Sequence, residues 1–385
     1  MSDVTESLTA GHLRALRLRA HLLTGLSARS VAAAAGHLGG LQAQAAPPAR
    51  LAVRARTSGL TAADVDRASG PAREVTRTWA MRGTLHMMAT RDVRWMVSLL
   101  GPVFAARGRR RREQLGLDDA TCERALTALA TILAGSPPLT RAGLVTRLAA
   151  EGIPVDARTQ QPPHLLAYAA GRGLICRGPD GPGEEPTYVL LDEWAGDAPS
   201  LGRDEALAEL ARRYLGGYGP AGPADFAAWS GLPAADSKRA WELLALELTP
   251  VTASGQRLSA LAGGHGGDAP AGGGGAEAPA GPAARLLGHF DPYLLGYRDR
   301  GLVLDTAYAR RIQAGGGFIQ PAVIVDGRVA GTWRLARDAR RGTVLITVEP
   351  FTALPQASRA GLAAEAADVG RFLGAEVTFG IAPAG

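Results

Sequence analysis

Leucines recur at helical spacing along the first forty residues, at Leu13, Leu16, Leu23 and Leu26. That periodicity predicts two helices over 9–38, with Ser27 or Ser30 capping the second and Gly39-Gly40 ending it. The piece "LQAQA" that follows reads as short and extended or irregular. Pro47-Pro48 suits the first turn of a helix running to Thr57, where a missing N–H costs nothing. Thr61 with Asp64 has the spacing of a capping box for a further helix. Residues 74–89 alternate and are rich in Thr and Val, which predicts two strands with a turn before Gly83. Residues 91–134 read as helical.

The pattern then repeats itself. Thr140 caps "RAGLVTRLAAEG", "PPHLLAYAAGRG" gives a second helix, and "LICRG" and "TYVLL" give a hairpin. Helix, turn, helix and hairpin is the order of a winged helix. "EALAELARRYLGGYG" begins the next round, and two more helices are joined at Ser230-Gly231-Leu232-Pro233. The first of these two carries Asp225, Phe226 and Trp229. Ser237, Lys238 and Arg239 fall near the start of the second, where a recognition helix would face DNA. Residues 262–284 are low-complexity Gly, Ala and Pro, which predicts a flexible linker or loop, and His265 within it is no ligand. Beyond it, strands meet at an Asp326-Gly327 turn, and a helix over 357–373 precedes a last strand. The expected class is α+β. The expected units are 1–135, 136–198, 199–261, the linker 262–284, and a β-rich domain over 285–385.

Composition narrows the class. The chain has 385 residues, 46% of them hydrophobic, enough to build several packed modules. No apolar run is long enough to span a membrane, and "MSDVTESLTA" lacks the features of a secretory signal, so a cytoplasmic protein is expected. Cys122 and Cys176 alone make neither a disulfide framework nor a metal set, so no metal or cofactor is expected. Net charge is +6, and Lys238 is the one lysine among 42 basic residues. A GC-rich genome explains much of that bias. Arginine still brings a planar fork that grips phosphate and stacks on bases. The run "RGRRRR" at 107–112 is either a solvated face or a phosphate-contacting stripe.

Gln42 and Gln44 are the unusual feature. At spacing two on extended chain, both side chains face one side. On spacing alone they cap the following helix or pair with nearby backbone. Arg50 and Arg54 share a helical face and either hold phosphates or lie solvated. Arg82 and His86 lie on one face of "RGTLH", as part of a structural hairpin or as DNA contacts. Asp291 and Arg300 bracket "DPYLLGYRDR" as an ion pair or turn, with a channel-facing role as the alternative. Trp333, Tyr293 and Tyr297 read as core packing.

Taken together, "GLQAQ", "RGTLHMM", "RRYLGGYGPAGPADFAAWSGL", "HFDPYLLGYRDR" and "VIVDGRVAGTWR" resemble the AlkZ-like family of DNA glycosylases, which includes the YcaQ relatives. The match runs through nearly the whole chain in order. It implies three winged-helix motifs and a C-terminal β-rich domain around a DNA-binding channel. It implies that Gln42-Ala43-Gln44 lines the channel and takes part in base excision, with glutamine where some relatives have aspartate. It also implies a part in self-resistance to DNA-alkylating antibiotics. An amide is a weak acid and a weak base. Alkylation at guanine N7 or adenine N3 already charges the leaving base, however, and leaves only a water to hold and a developing cation to support. The expected enzyme is therefore a monofunctional, metal-free glycosylase for bulky cationic adducts and crosslinks in double-stranded DNA. It is expected to be a monomer that uses water as nucleophile. Arg50, Arg54, Arg82, His86, Lys238 and Arg239 are its expected DNA contacts. A winged-helix regulator without catalysis, or a toxin-sequestering protein, are the competing readings.

Overall fold

In a computed structural model, which describes residues 6–253, 255–262, 283–338, 340 and 342–385, the repeated helix–hairpin pattern becomes three sheets wrapped by helices. Residues 263–282, including His265 and most of the expected linker, lie outside the described residues. Strand β1 (Glu6–Leu8) precedes α1 (Ala10–Ala20) and α2 (Val31–His37). Ser30 caps α2 by accepting from the Ala33 N–H. Strand β2 (Leu41–Gln42) leads into α3 (Ala46–Arg54) and α4 (Ala62–Ser69). The Thr61–Asp64 capping box of α4 is present. The hairpin is β3 (Val75–Trp79) and β4 (Leu85–Ala89), followed by α5 (Val93–Gln114) and α6 (Asp119–Leu133).

Next come β5 (Leu139–Thr140), α7 (Arg141–Ala150), α8 (Gln161–Gly171), β6 (Ile175–Arg177), β7 (Thr187–Leu190) and α9 (Leu191–Ala195). Thr140 caps α7 as its position suggests. The following round is α10 (Arg203–Tyr218), α11 (Pro223–Ser230), α12 (Ala234–Leu243), β8 (Leu248–Ala253) and β9 (Gln256–Leu261). The C-terminal region holds β10 (Ala284–Leu287), α13 (Pro292–Leu295), α14 (Ala309–Ile312), β11 (Ala322–Val325), β12 (Arg328–Asp338), β13 (Thr343–Pro350), α15 (Gln356–Leu373) and β14 (Glu376–Ile381). Asp326 and Gly327 both have positive φ, which makes the tight turn between β11 and β12. Among the described residues no helix is long and apolar enough to cross a membrane.

Two sheets cross the boundaries drawn from sequence. A six-stranded sheet runs β2-β4-β3-β6-β7-β5, with Arg77 of β3 opposite Arg177 of β6. The regions before and after residue 135 therefore share one ladder. In a three-stranded sheet, β1 lies parallel against β8, so the N-terminus completes the hairpin at 248–261. In both cases an edge strand gains a partner that local patterning cannot announce. Helices α5 and α8 cross with backbones touching, since a Cβ at Gly101 would stand 1.9 Å from the Gly171 carbonyl oxygen. One core joins α2, β2–β4, α5 and α10–α12 (Leu38, Met88, Tyr214, Trp229). It is this core that brings the segment after α2 against the segment after β3.

Candidate active site

Gln42 sits on β2 directly opposite His86 of β4. Its side chain is half-buried, whereas Gln44 is exposed. Beyond Gln42 the ladder continues for one more bond, from the Ala43 N–H to the Leu85 carbonyl at 2.8 Å. Gln44 Oε1 accepts from the Leu85 N–H at 3.4 Å. The N-cap of α3 is Ala45, with no side-chain hydrogen bond, so neither glutamine caps that helix. This overturns the capping reading and keeps the backbone-pairing one for Gln44. The approach is tight: a Cβ on Gly40, at φ +124°, would stand 2.9 Å from Met81 Cε.

Arg82 is not on a strand. It lies in a single tight turn, Met81–Gly83, with a left-handed φ of 57°. From there Nη2 donates to Gln42 Oε1 at 2.9 Å and Nη1 donates to the Trp229 carbonyl at 2.5 Å. Arg82 thus ties β2 to the end of α11. Burial and the nearby positive charge of Arg300 hold its pKa below the usual arginine value. His86 is buried, with Nδ1 2.9 Å from the Thr84 carbonyl oxygen. Burial and the Arg82 charge push its pKa down to about 3. The imidazole is neutral at neutral pH and is no surface contact. No carboxylate hydrogen-bonds to Gln42, Gln44, Arg82 or His86 among the described residues.

The remaining expected contacts disperse. Arg50 pairs with Asp66 at 2.7 Å and Glu184 at 2.5 Å. Arg54 is buried and donates to Glu365, Asp368 and the Leu286 carbonyl, locking α3 to α15 and β10. Its guanidinium is not available to a phosphate, which corrects the shared solvent face expected for Arg50 and Arg54. Arg239 is paired with Asp204 at 2.6 Å on the surface, and Lys238 beside it is exposed. The run at 107–112 divides: Arg112 is buried over the Tyr168 ring, while Arg109 pairs with Glu113 and Asp119. Asp291 does not pair with Arg300. It takes a fully buried, two-pronged bond from Arg56 at 2.7 and 2.9 Å.

Sequence reasoning missed Arg56 as the partner of Asp291 and Trp229 as an anchor for Arg82. Neither had a local signal, since 235 and 147 residues separate the two pairs. The rings of Tyr214, Tyr218 and Phe226 cluster around that of Trp229, and Tyr297 packs on Tyr218. Trp333 is core, as expected, with its Nε1 donating to the Leu287 carbonyl.

Comparison with known proteins gives one consistent result. The family model described as "DNA glycosylase AlkZ-like" matches residues 35–372. A curated relative from Streptomyces sahachiroi, an interstrand DNA cross-link repair glycosylase, is 30% identical over 369 residues, spanning 94% of this chain and 95% of the relative. Among solved structures, that organism's DNA glycosylase AlkZ matches with a TM-score of 0.79 at 27% identity, over 98% of this chain and 100% of that one.

Proposed function

The chain belongs to the AlkZ-like DNA glycosylase family, and from that premise we propose that it hydrolyses the N-glycosidic bond of bulky cationic bases, of the N7-alkylguanine kind, with Gln42 and Gln44 as the catalytic pair. The observation that carries this reading is a pair of glutamine amides to which, among the described residues, no carboxylate hydrogen-bonds. His86, the ionisable side chain opposite Gln42, has its pKa near 3.

Breaking the bond to a neutral base ordinarily needs an acid for the leaving group and a carboxylate for water and the oxocarbenium sugar. Among the described residues no such group hydrogen-bonds to Gln42 or Gln44. A base that is already cationic leaves as a neutral molecule, and the remaining tasks are dipolar. Gln44 is exposed, and its carbonyl is only weakly engaged, at 3.4 Å. It holds the attacking water. Gln42 is fixed by Arg82 and sets the other side of that water's position. Water is the nucleophile, the base leaves with the bonding electron pair, and the proton from water passes to solvent.

The sequence similarity to a crosslink-repair glycosylase supports including crosslinks among the substrates. The repeated helix–turn–helix and hairpin units serve as winged helices that hold the duplex, with exposed Lys238 on α12 among the contacts.

The test uses duplexes carrying one N7-alkylguanine, one crosslink or one uracil. Abasic product is expected from the first two and not from uracil. Gln42→Ala and Gln44→Ala should each lose product while still binding DNA. Uracil release at a comparable rate, or full activity in both variants, would refute the proposal.

A further inference from the structure

Large apolar side chains left exposed are few among the described residues: Leu246, Leu345 and Phe318. Phe318 is the aromatic one, and other rings surround it. His289 meets its ring edge-on at 5.1 Å, and Phe290 meets it edge-on at 4.8 Å. His289 and Phe290 are half-buried, so the three rings make one patch partly open to water. Exposed aromatic surface of this kind marks a place of contact. The patch is also held in shape. Phe318 follows Gly315, Gly316 and Gly317, all at left-handed φ, and a Cβ on any of them would meet nothing within 4 Å. That open loop is closed by the Phe318 N–H donating to the Gly315 carbonyl at 2.8 Å and the Ala314 N–H donating to the Phe318 carbonyl at 3.1 Å. The Phe290 N–H donates to the Ile319 carbonyl at 3.4 Å, and His289 Nδ1 stands 3.2 Å from the same oxygen. Phe290 itself has a φ of 58°. Left-handed backbone is costly for an aromatic residue, and such residues gather where a ligand is met.

Contacts along α3 place this patch towards the proposed reaction centre. Arg54, the last residue of α3, donates to the Leu286 carbonyl at 2.8 Å. Two residues on, a Cβ at Gly288 would stand 3.2 Å from Leu51 Cβ and 3.7 Å from the Pro48 carbonyl oxygen, nearer the start of the helix. Asp291 is back beside Arg56, whose guanidinium also donates to the Ala52 carbonyl. The chain therefore runs along α3 towards its start, turns at Phe290 and returns. His289 and Phe290 form the tip of that excursion. Pro48, which the tip approaches, follows Gln44 by four residues.

We propose that His289, Phe290 and Phe318 form a stacking platform for the unpaired base opposite the excised one. The inference rests on the glycosylase reading, because excision is what leaves a base without a partner. A base still paired is covered on both faces by its own stack and gains little from a protein ring. An orphaned base can leave that stack, and an aromatic side chain then covers its π-face whichever base it is. The three rings offer such a surface within reach of the segment that carries Gln44, on a loop whose glycines leave space around Phe318. Phe318 is the most open of the three and makes the contact.

The test measures binding to a duplex with a stable abasic analogue, in which the opposite nucleotide either keeps its base or is itself replaced by a spacer lacking one. Removing the opposite base should weaken wild-type binding by roughly tenfold, with little dependence on which base it was. Phe318→Ala should weaken binding to the duplex that keeps the base to a similar extent, and should lose no more when the base is removed. The slope of log K against log salt should stay the same, since no phosphate contact is touched. Phe318→Tyr should restore affinity and Phe318→Leu should not. Wild-type binding indifferent to the opposite base, additive losses in Phe318→Ala, or an equal loss on undamaged duplex would overturn the proposal. So would a Phe318→Ala defect confined to duplexes that still carry the alkyl adduct, because the ring would then meet the adduct and not the orphaned base. The orphan-base signature without release of an N7-alkylguanine would sink the glycosylase reading alone, and release without the signature would sink this inference alone.

Discussion

Arg82 Nη2 lies 2.9 Å from Gln42 Oε1, so the amide at the proposed reaction centre is held by a cation that is itself held by the Trp229 carbonyl. A glutamine side chain free to rotate would present oxygen and nitrogen interchangeably. Here the oxygen is committed to Arg82. Arg82→Met removes that commitment without altering β2. Single-turnover base release should fall by ~10²-fold, the size expected when one preorganised dipole is lost. In a Gln42→Ala background the same change should cost far less, because residues in one network are not additive. Equal losses in both backgrounds would show that Arg82 acts on something other than Gln42.

The pH dependence follows from the same site. With two amides and a histidine whose pKa is about 3, release of a pre-formed cationic base should be level between pH 6 and 9. An inflection near 6.5 would mean that a histidine takes part in the reaction. Stability behaves differently. The folded pKa of His86 lies below the ordinary 6.5, so below that pH the unfolded chain takes up a proton that the fold refuses. Stability is full above pH 6.5. It drops by at most about 1.4 kcal/mol per pH unit from this residue as pH falls towards 3. Burial lowers the pKa values of His21 and His37 in the same direction, so the acid loss should be steeper than one histidine allows. Urea melts at pH 7.5 and 5 would measure it.

Much of the local structure was legible because its causes are local. The Thr61–Asp64 box, the Ser30 and Thr140 caps and the Asp326-Gly327 turn act over a few residues, and patterning finds them. The catalytic reading of the glutamine pair comes only from resemblance, since its spacing by itself suggests a helix cap. What patterning could not reach is long-range pairing. Nothing near Arg54 announces Glu365, and nothing near Asp291 announces Arg56. Arg82 read as a strand residue because "RGTLH" alternates. Its left-handed φ is a property of the turn that precedes β4, set by packing against α11.

The buried pair of Arg56 and Asp291 makes a stability prediction independent of catalysis. Both side chains are fully buried, and Asp291 also accepts from the Tyr293 N–H at 2.9 Å. Asp291→Ala strands a charged guanidinium in the core and should cost about 3–5 kcal/mol. Arg56→Met with Asp291→Leu should cost less than Asp291→Ala alone, since no charge is then left unpaired. Denaturant midpoints decide it; a double variant less stable than the single would show that packing, not charge, dominates there.

Gly231 separates backbone strain from damage to the site. Its φ is +77°, and a Cβ there would stand 2.9 Å from Arg82 Cα and 3.1 Å from Phe104 Cζ. Gly59 has a similar φ of +79° with nothing within 4 Å. Alanine should cost each position about 1 kcal/mol through the left-handed backbone alone. At Gly231 the added methyl meets main chain, which cannot swing aside as a flexible side chain can. Arg82 must move, and with it the bond to Gln42. Gly231→Ala should therefore lose at least tenfold in single-turnover base release, whereas Gly59→Ala keeps its rate and loses only thermal stability. Equal rates in the two variants would mean that Arg82 tolerates displacement, and that the Gly231 contact serves folding alone.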